Sequence, residues 1–283
     1  MKLWVTGADG LLGSVVRKAA ALATGRREAD IGDLDAIRSF ASLNPGITHI
    51  VNCAAFSLVD LAETNRDEAF RTNALGPENL GILAAEIGAR IVHISTDYVF
   101  PGTLHRPLKE DDPVEPCSHY GFTKLEGERR LLKVNPKACI IRTSWIFGQG
   151  GKNFVAKLLQ MLQKPEEIRL TDDNWNLPTY APDLSDAVLR MLEASGIYHF
   201  ANRGAANKYE FGLAMREEAE AAGFSIAAKR ILGVPASTFP SPAGRPVYSV
   251  FDVSKIEREL GVSIRPWREG LREFLQEAYG KIS

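Results

Sequence analysis

The chain has 283 residues, with 34 Lys and Arg against 35 Asp and Glu and a formal net charge of −1. That balance excludes a general nucleic-acid binder, whose phosphate contacts need uncompensated positive charge. With 45% hydrophobic and 24% charged residues the chain is not disordered. At about 100 to 200 residues per domain, the length fits one large domain or two smaller ones, enough to build a core without a disulfide or structural metal. Cys53, Cys117 and Cys139 are odd in number, far apart and free of any CxxC pair, so each reads as a small buried hydrophobe in a reducing compartment. Met1-Lys2 leads directly into an apolar strand and a glycine turn, and no run reaches the 18 or so apolar residues of a membrane helix. The expectation is a soluble cytoplasmic protein with no membrane or nucleic-acid partner.

In chain order, Leu3 to Thr6 reads as a strand and Leu11 to Leu22 as a helix. Ile47 to Cys53 is a second strand, followed by a helical region from about Arg66 to Ile87. Ile91 to Ser95 and Cys139 to Thr143 are further strands, with a helix from about Gly121 to Val134 between them. Strands apolar throughout and separated by helices predict a parallel sheet covered on both faces, the doubly wound α/β (Rossmann-type) class. Beyond Trp145 the pattern loosens. Helices are expected at Asn153 to Gln163, Leu184 to Ala194, Tyr209 to Ala222 and Trp267 to Tyr279, between segments rich in Pro, Ser and Asn such as Val234 to Pro246. The expected division is a dinucleotide-binding part over 1–150, rejoined by about 174–200, and a smaller C-terminal α/β substrate-binding region over 151–173 and 201–283.

TGADGLLG, between the first strand and its helix, places Gly7, Gly10 and Gly13 at three-residue spacing. The first glycine permits a tight turn, the second lets backbone approach a pyrophosphate, and the third lets helix and strand pack closely. An ordinary strand-to-helix turn is the bland alternative, and the position after the first strand argues against it. The acidic residue that often holds an adenosine ribose about 20 residues later gives way to TGRREADIGD, with Arg26 and Arg27 near the expected end of a second strand. Two guanidinium groups there suit the 2′-phosphate of NADP and predict NADPH over NADH; a solvated basic turn is the alternative.

Tyr120 and Lys124 stand four apart in HYGFTKLEGE and so share a helix face. A nearby ammonium stabilises phenolate and lowers the tyrosine pKa, fitting the pair to proton exchange with a carbonyl oxygen. Ser95, Thr96, Asp97 and Tyr98 follow the strand that starts at Ile91, at the carboxyl end where open α/β sheets bind ligands, and Thr96 can donate to a substrate carbonyl.

Together these motifs resemble the extended short-chain dehydrogenase/reductases. The ordered set NCAAFSLVDLAE (Asn52 to Glu63), STDYVFPG (Ser95 to Gly102), YGFTKLEGE (Tyr120 to Glu128), RTSWIFG (Arg142 to Gly148), GKNF (Gly151 to Phe154), LPTYAPDL (Leu177 to Leu184), YHFAN (Tyr198 to Asn202) and RPVYS (Arg245 to Ser249) resembles the dTDP-4-dehydrorhamnose reductase family over nearly the whole chain. The resemblance implies NADPH-dependent (or NADH-dependent) reduction of the 4-keto group of dTDP-4-dehydro-L-rhamnose to dTDP-L-rhamnose, a precursor of surface polysaccharide. It implies Tyr120 as proton donor, Lys124 on the nicotinamide ribose and Thr96 on the ketone. It implies cofactor contacts from the glycine turn with Asp9, Leu11 and Leu12, from Arg26, Arg27, Asp30 and Ile31, and from Cys53, Ala54 and Ala55, with Asn73 supporting the active site from its helix. The resemblance also implies that Val59, Asp97, Tyr98 and Trp145 line the sugar pocket and that Asn153 and Arg245 reach the nucleotide part. A homodimer and a divalent ion such as Mg2+ at a subunit interface are also compatible with the family.

The spacing between Gly13 and Asp30 is shorter than the family's, so the second strand and adenosine pocket are expected to be truncated or rebuilt. In DDNWNLPT, Asn174 and Asn176 stand where Gln and Gly are usual, and Asn is expected to preserve the turn through its tolerance of left-handed angles. His49, His93, His105, His119 and His199 show no metal-site spacing and read as structural or solvated. Two other functions compete: a non-catalytic dinucleotide-binding regulatory subunit like the methionine adenosyltransferase β-subunit, and a reductase or epimerase of another nucleotide sugar. The intact Thr96, Tyr120 and Lys124 favour the reductase.

Overall fold

The computed structural model describes residues 1–150 and 153–280. The first half comprises β1 (Leu3–Thr6), the one-turn helix α1 (Gly13–Val16), β2 (Leu22–Thr24), α2 (Leu34–Leu43), β3 (His49–Asn52), α3 (Val59–Ala62), α4 (Arg66–Phe70), α5 (Gly76–Ile87), β4 (Arg90–Thr96), α6 (His119–Val134) and β5 (Cys139–Thr143). Arg71–Leu75 continues α4 into α5 as a π-helical turn. The second half adds β6 (Ile146–Phe147), α7 (Phe154–Leu162), β7 (Glu167–Thr171), β8 (Thr179–Tyr180), α8 (Ala181–Arg190), β9 (Gly196–His199), α9 (Lys208–Ala221), β10 (Arg230–Val234), α10 (Ser254–Leu260) and α11 (Trp267–Tyr279).

Six strands form one parallel sheet in the order β2-β1-β3-β4-β5-β9. The doubly wound α/β class is therefore observed. Alternation along each strand feeds two cores. Val5, Val51, Val92 and Ile141 pack with Val16 of α1 and Leu184 and Val188 of α8, while Trp4, Ile50, Ile91 and Ile140 pack with Ile37 of α2 and Leu80 and Leu83 of α5. A third core joins α7, α9 and α11 with the β7–β10 pair around Leu158, Phe211, Ile231 and Leu271. Residues of β9 extend the main sheet, and α8 packs on α1.

The direction of winding reverses between β1 and β3, and a crevice opens beyond the carboxyl ends of these strands. The predicted helix Leu11 to Leu22 is corrected here. Only Gly13–Val16 is α-helical, a short 3-10 turn follows, and Leu22–Thr24 pairs with β1 as a strand. Ala20 is already extended, and the Ala21 N–H bonds Leu3 O, so strand pairing overrides the helical propensity of this alanine-rich stretch. The helix α2 was not anticipated. Its signal is the Asp33 N-cap, which accepts from the N–H groups of Asp35 and Ala36, followed by buried Ile37 and Ala41 at i and i+4.

Candidate active site

The glycine turn is shaped by close approach. Gly7 has φ +68°, and a Cβ there would lie 2.4 Å from Ala54 N; a Cβ on Gly13 would lie 2.1 Å from Gly7 O. Gly10 is less crowded, meeting only Gly7 O at 3.3 Å. With α1 reduced to four residues, little helix dipole faces the crevice, and the turn's own backbone forms the cradle. A cavity of about 210 Å3 opens there, lined by Gly7, Gly10, Arg26, Asp30, Ile31, Cys53, Ala54 and Ala55 among others. It shares Gly10, Cys53 and Ala55 with a second cavity of about 430 Å3, so the two form one groove. The tight Gly7–Ala54 approach and the open wall at Gly10 fit a dinucleotide.

At the first cavity Arg26 contacts Glu68 at 2.7 Å and Asp30 at 3.3 Å, while Arg71 reaches Asp30 at 2.8 Å and Glu68 at 3.2 Å. Burial opposes ionisation of Asp30, but Arg71, the Gly32 N–H and Arg26 outweigh it and hold the carboxyl below its ordinary range. Arg27 is exposed, as is Asp9, which lies 3.9 Å from Arg17; neither is among the residues lining the two cavities. Glu68 and Arg71, more than 35 residues further along the chain, gave no sequence signal.

The second cavity holds Thr96, Asp97, Tyr98, Tyr120 and Lys124, with Leu11, Leu12, Val59 and Trp145 also in its walls. Close packing places α6: a Cβ on Gly121 would lie 2.2 Å from Tyr98 O, and one on Gly127 2.1 Å from Asn73 O. Ser118 caps the helix by accepting from the Gly121 N–H. Asn73, inside the π-helical turn, accepts from Phe56 N at 2.8 Å and donates to Phe56 O at 3.1 Å and Thr123 Oγ1 at 3.0 Å. Its amide ties the segment after β3 to α6 instead of lining the groove.

The i, i+4 spacing does bring Tyr120 and Lys124 to one cavity, but burial rules their electrostatics. Lys124 is 1% exposed, and Nζ donates to Ile94 O at 2.7 Å and lies 3.3 Å from His93 Nε2. Desolvation lowers its pKa to about 8 against the opposing pull of Glu128 and Cys53. Desolvation also pushes the Tyr120 phenol upward; Asp97 and Tyr98 add to this, and a hydrogen bond with Thr96 opposes it. The expected lowering of the tyrosine pKa by the lysine is therefore not the dominant effect in this structure. The Thr96 hydroxyl donates to Asp97 Oδ1 at 3.1 Å and accepts from Tyr98 N at 3.3 Å. Asp97, 3% exposed, also accepts from Ser249 Oγ at 2.6 Å, and burial raises it to about 6 against these hydrogen bonds.

Trp145 has φ 43°, the one positive value among the described non-glycine residues, and packs on Phe154 and Phe211. Asn174 and Asn176 thus do not adopt the expected left-handed angles. They tie down the segment around Arg245 instead, Asn174 donating to Pro246 O at 3.2 Å and Asn176 to Ser249 Oγ at 2.5 Å. Asn153 lines the second cavity, but its side chain caps α7, accepting from Ala156 N and donating to Gly148 O and Gly150 O. Gly151 and Lys152 of the GKNF motif lie outside the described residues. Arg245 pairs with Asp60 at 2.9 Å, donates to Tyr98 Oη at 3.2 Å, and lines a third cavity of about 350 Å3 with Lys157, Arg169 and Lys208. Those three cations were missed by sequence reasoning, being dispersed over α7, β7 and α9. The described residues lining this cavity include no acidic side chain.

Two further readings are corrected or bounded. Cys117 is exposed on the loop before α6, unlike the buried Cys139. No group of three or more His, Cys, Asp or Glu among the described residues is arranged to hold a metal, so the ion allowed by the family resemblance finds no site there. No helix among the described residues is long and apolar enough to cross a membrane.

The family described as RmlD substrate binding domain matches residues 1–279. A spore coat polysaccharide biosynthesis protein, SpsK of Bacillus subtilis, is 39% identical over 284 residues, covering 98% of this chain and 97% of its own length. The dTDP-4-dehydrorhamnose reductase of Streptomyces griseus is 37% identical over 292 residues, covering 98% and 94%. The crystal structure of a dTDP-4-dehydrorhamnose reductase from Bacillus anthracis in complex with NADP superposes with a TM-score of 0.90 at 31% identity, covering 98% of this chain and all of that one. Matched over residues 1–279 by the family model and over 98% of its length by a reductase at 37% identity, the chain belongs to the dTDP-4-dehydrorhamnose reductase family.

Proposed function

We propose that this chain is an oxidoreductase that reduces the 4-keto group of dTDP-4-dehydro-L-rhamnose to dTDP-L-rhamnose, using NADPH. The observation that carries the reading is the meeting of Thr96, Tyr120 and Lys124 at the carboxyl end of β4, in a cavity sharing Gly10, Cys53 and Ala55 with the dinucleotide cradle. When bound, the reduced nicotinamide supplies the hydride. Gly7, Gly10 and Gly13, with Leu11 and Leu12, hold the pyrophosphate; Asp30, Ile31, Cys53, Ala54 and Ala55 enclose the adenosine and nicotinamide ends. Arg26, on the cavity wall, faces the 2′-phosphate.

The upward-shifted Tyr120 keeps its proton at neutral pH, as a general acid must, and delivers it to the oxygen developing at C4. Thr96 rotates its hydroxyl from Asp97 to that oxygen to polarise the ketone. Lys124 holds the nicotinamide ribose. Val59, Tyr98 and Trp145 bound the sugar, and Arg245 with Lys157, Arg169 and Lys208 neutralises the diphosphate in the third cavity. In this reading residues 1–150, rejoined by about 174–200, carry the cofactor, and 151–173 with 201–283 carry the substrate. The homodimer and the cytoplasmic location belong to it through the family likeness alone.

The test is oxidation of NADPH with dTDP-4-keto-6-deoxy-L-lyxo-hexulose generated in situ. Wild type turns over, and Tyr120→Phe loses about 10²- to 10⁴-fold in kcat with the cofactor Kd little changed. Absence of wild-type turnover despite tight cofactor binding would shift the assignment to a regulatory subunit. Better turnover of a UDP-linked ketosugar would shift it to another nucleotide sugar.

A further inference from the structure

Thr6, Asn52 and His93 stand in register across β1, β3 and β4, each 0% exposed. Their hydrogen bonds leave one consistent placement of protons. The Ala54 N–H can only donate, and it donates to Asn52 Oδ1 at 3.0 Å; the Thr6 hydroxyl donates to the same oxygen at 2.8 Å. The Asn52 amide is thereby fixed with Nδ2 toward His93 Nδ1, 3.0 Å away. An amide nitrogen only donates, so Nδ1 accepts. Burial and the neighbouring Lys124 hold the imidazole well below its ordinary pKa, so the ring is neutral and carries its single proton on Nε2.

That Nε2–H faces Lys124 Nζ at 3.3 Å, while Nζ donates to Ile94 O at 2.7 Å. A neutral amine accepts the imidazole N–H and donates to the carbonyl, satisfying every group. An ammonium has no lone pair and sets donor against donor in a buried site. We infer that His93, held by Asn52 as the Nε2–H tautomer, is a positioning residue that favours the amine of Lys124 over its ammonium and so makes that ammonium a stronger acid beside Tyr120.

The other titratable groups acting on Lys124 are Glu128 on its own helix and Cys53 after β3, and Tyr120 lines the same cavity. Arg142 on β5 is already paired with Glu128 at 2.7 Å. Glu128 and Cys53 pull the lysine toward its charged form, so His93 and burial act against them. The role in turnover rests on the reading of Tyr120 as proton donor. Once the phenol O–H proton has passed to the C4 oxygen, an N–H proton of Lys124 passes to the phenolate, and the amine that remains accepts from His93 Nε2–H until a proton from solvent restores the ammonium.

The inference is tested without substrate, so its failure and that of the proposed reaction are separable. In ligand-free protein labelled with 15N-histidine and with 13C at lysine Cε, His93 should report the Nε2–H tautomer by NMR. Lys124, assigned by loss of its signal in Lys124→Met, should titrate near 8. His93→Asn keeps an acceptor for Asn52 and removes the opposing N–H, raising the Lys124 midpoint by about one unit. Asn52→Asp places an acceptor against Nδ1, reverses the tautomer and raises the midpoint as well, so it serves even where His93→Asn fails to fold. The alkaline limb of the kcat–pH profile of each folded variant should move with the lysine. An Nδ1–H tautomer in wild type, or a Lys124 midpoint unmoved in the folded variants, overturns the inference.

Discussion

The two ends of the groove handle charge differently. At the end proposed for the nicotinamide, Lys124, Glu128, Arg142, Asp97 and His93 are buried, and each is held by hydrogen bonds to named neighbours. At the end proposed for the adenosine, Arg26, Asp30, Glu68 and Arg71 form a two-plus-two cluster in which Arg26 is 62% exposed. Water screens the exposed cluster, whereas the buried network experiences a low dielectric in which proton positions and pKa values respond to single neighbours. The first arrangement suits a chemical step, and the second suits selection between two cofactors that differ by one phosphate.

The comparison is broken most forcefully at Arg142. Its guanidinium meets Glu128 through contacts of 2.7, 3.0 and 3.2 Å, with the two side chains 3% and 2% exposed. Arg142→Met leaves a buried carboxylate uncompensated and should cost about 3–5 kcal/mol in urea denaturation. Arg142→Met with Glu128→Leu should recover much of that loss. A single-variant cost below about 1 kcal/mol would place this pair energetically with the exposed cluster.

What the sequence made legible follows chain locality. Tyr120 and Lys124 are one helical turn apart, and Thr96 ends an apolar strand, so their shared cavity could be anticipated from spacing and from the rule that ligands gather at strand carboxyl ends. The partners of Lys124 could not: His93 lies 31 residues upstream, and its tautomer depends on an Asn52 amide fixed by Thr6 and Ala54 across two further strands. The same limit hid Glu68 and Arg71 behind Arg26, and Lys157, Arg169 and Lys208 around the third cavity. At α1 the failure was different. A stretch with helical propensity was claimed by β1, because the free edge of Leu3 to Thr6 offered Leu22 to Thr24 parallel pairing.

Asp97 offers a finer contrast, because it is buried without a cationic partner among its hydrogen bonds. Burial lifts its pKa in the fold to about 6, above the ordinary carboxyl value of 3.8. A raised folded pKa means that the protonated form is the better accommodated one. Its contribution is therefore fully present below about pH 4 and is lost as pH rises through about 6, a fall of about 3 kcal/mol. Asp97→Asn should lack this component, so the difference in urea midpoint between variant and wild type should change across that window. Parallel pH profiles of the two proteins would mean that Asp97 ionises in the fold as readily as in water.

The smallest effect is expected at the exposed end, where it separates stability from selectivity. Arg26→Ala should change stability by no more than about 1 kcal/mol, because its ion pairs are largely solvated. It should nevertheless raise the Kd for NADPH about tenfold and leave that for NADH unchanged, since one charge-assisted contact to the 2′-phosphate contributes about 1.5 kcal/mol. Arg27→Ala should do less, because Arg27 is not among the residues lining the cavity. The cluster also predicts the opposite change: Glu68→Gln removes the carboxylate that holds Arg26 at 2.7 Å and should tighten NADPH binding by freeing the guanidinium. Equal effects of Arg26→Ala on both cofactors would mean that the guanidinium serves the turn after β2 and not the phosphate. The Arg26 end of the groove would then resemble the Lys124 end in using its charges to hold the fold.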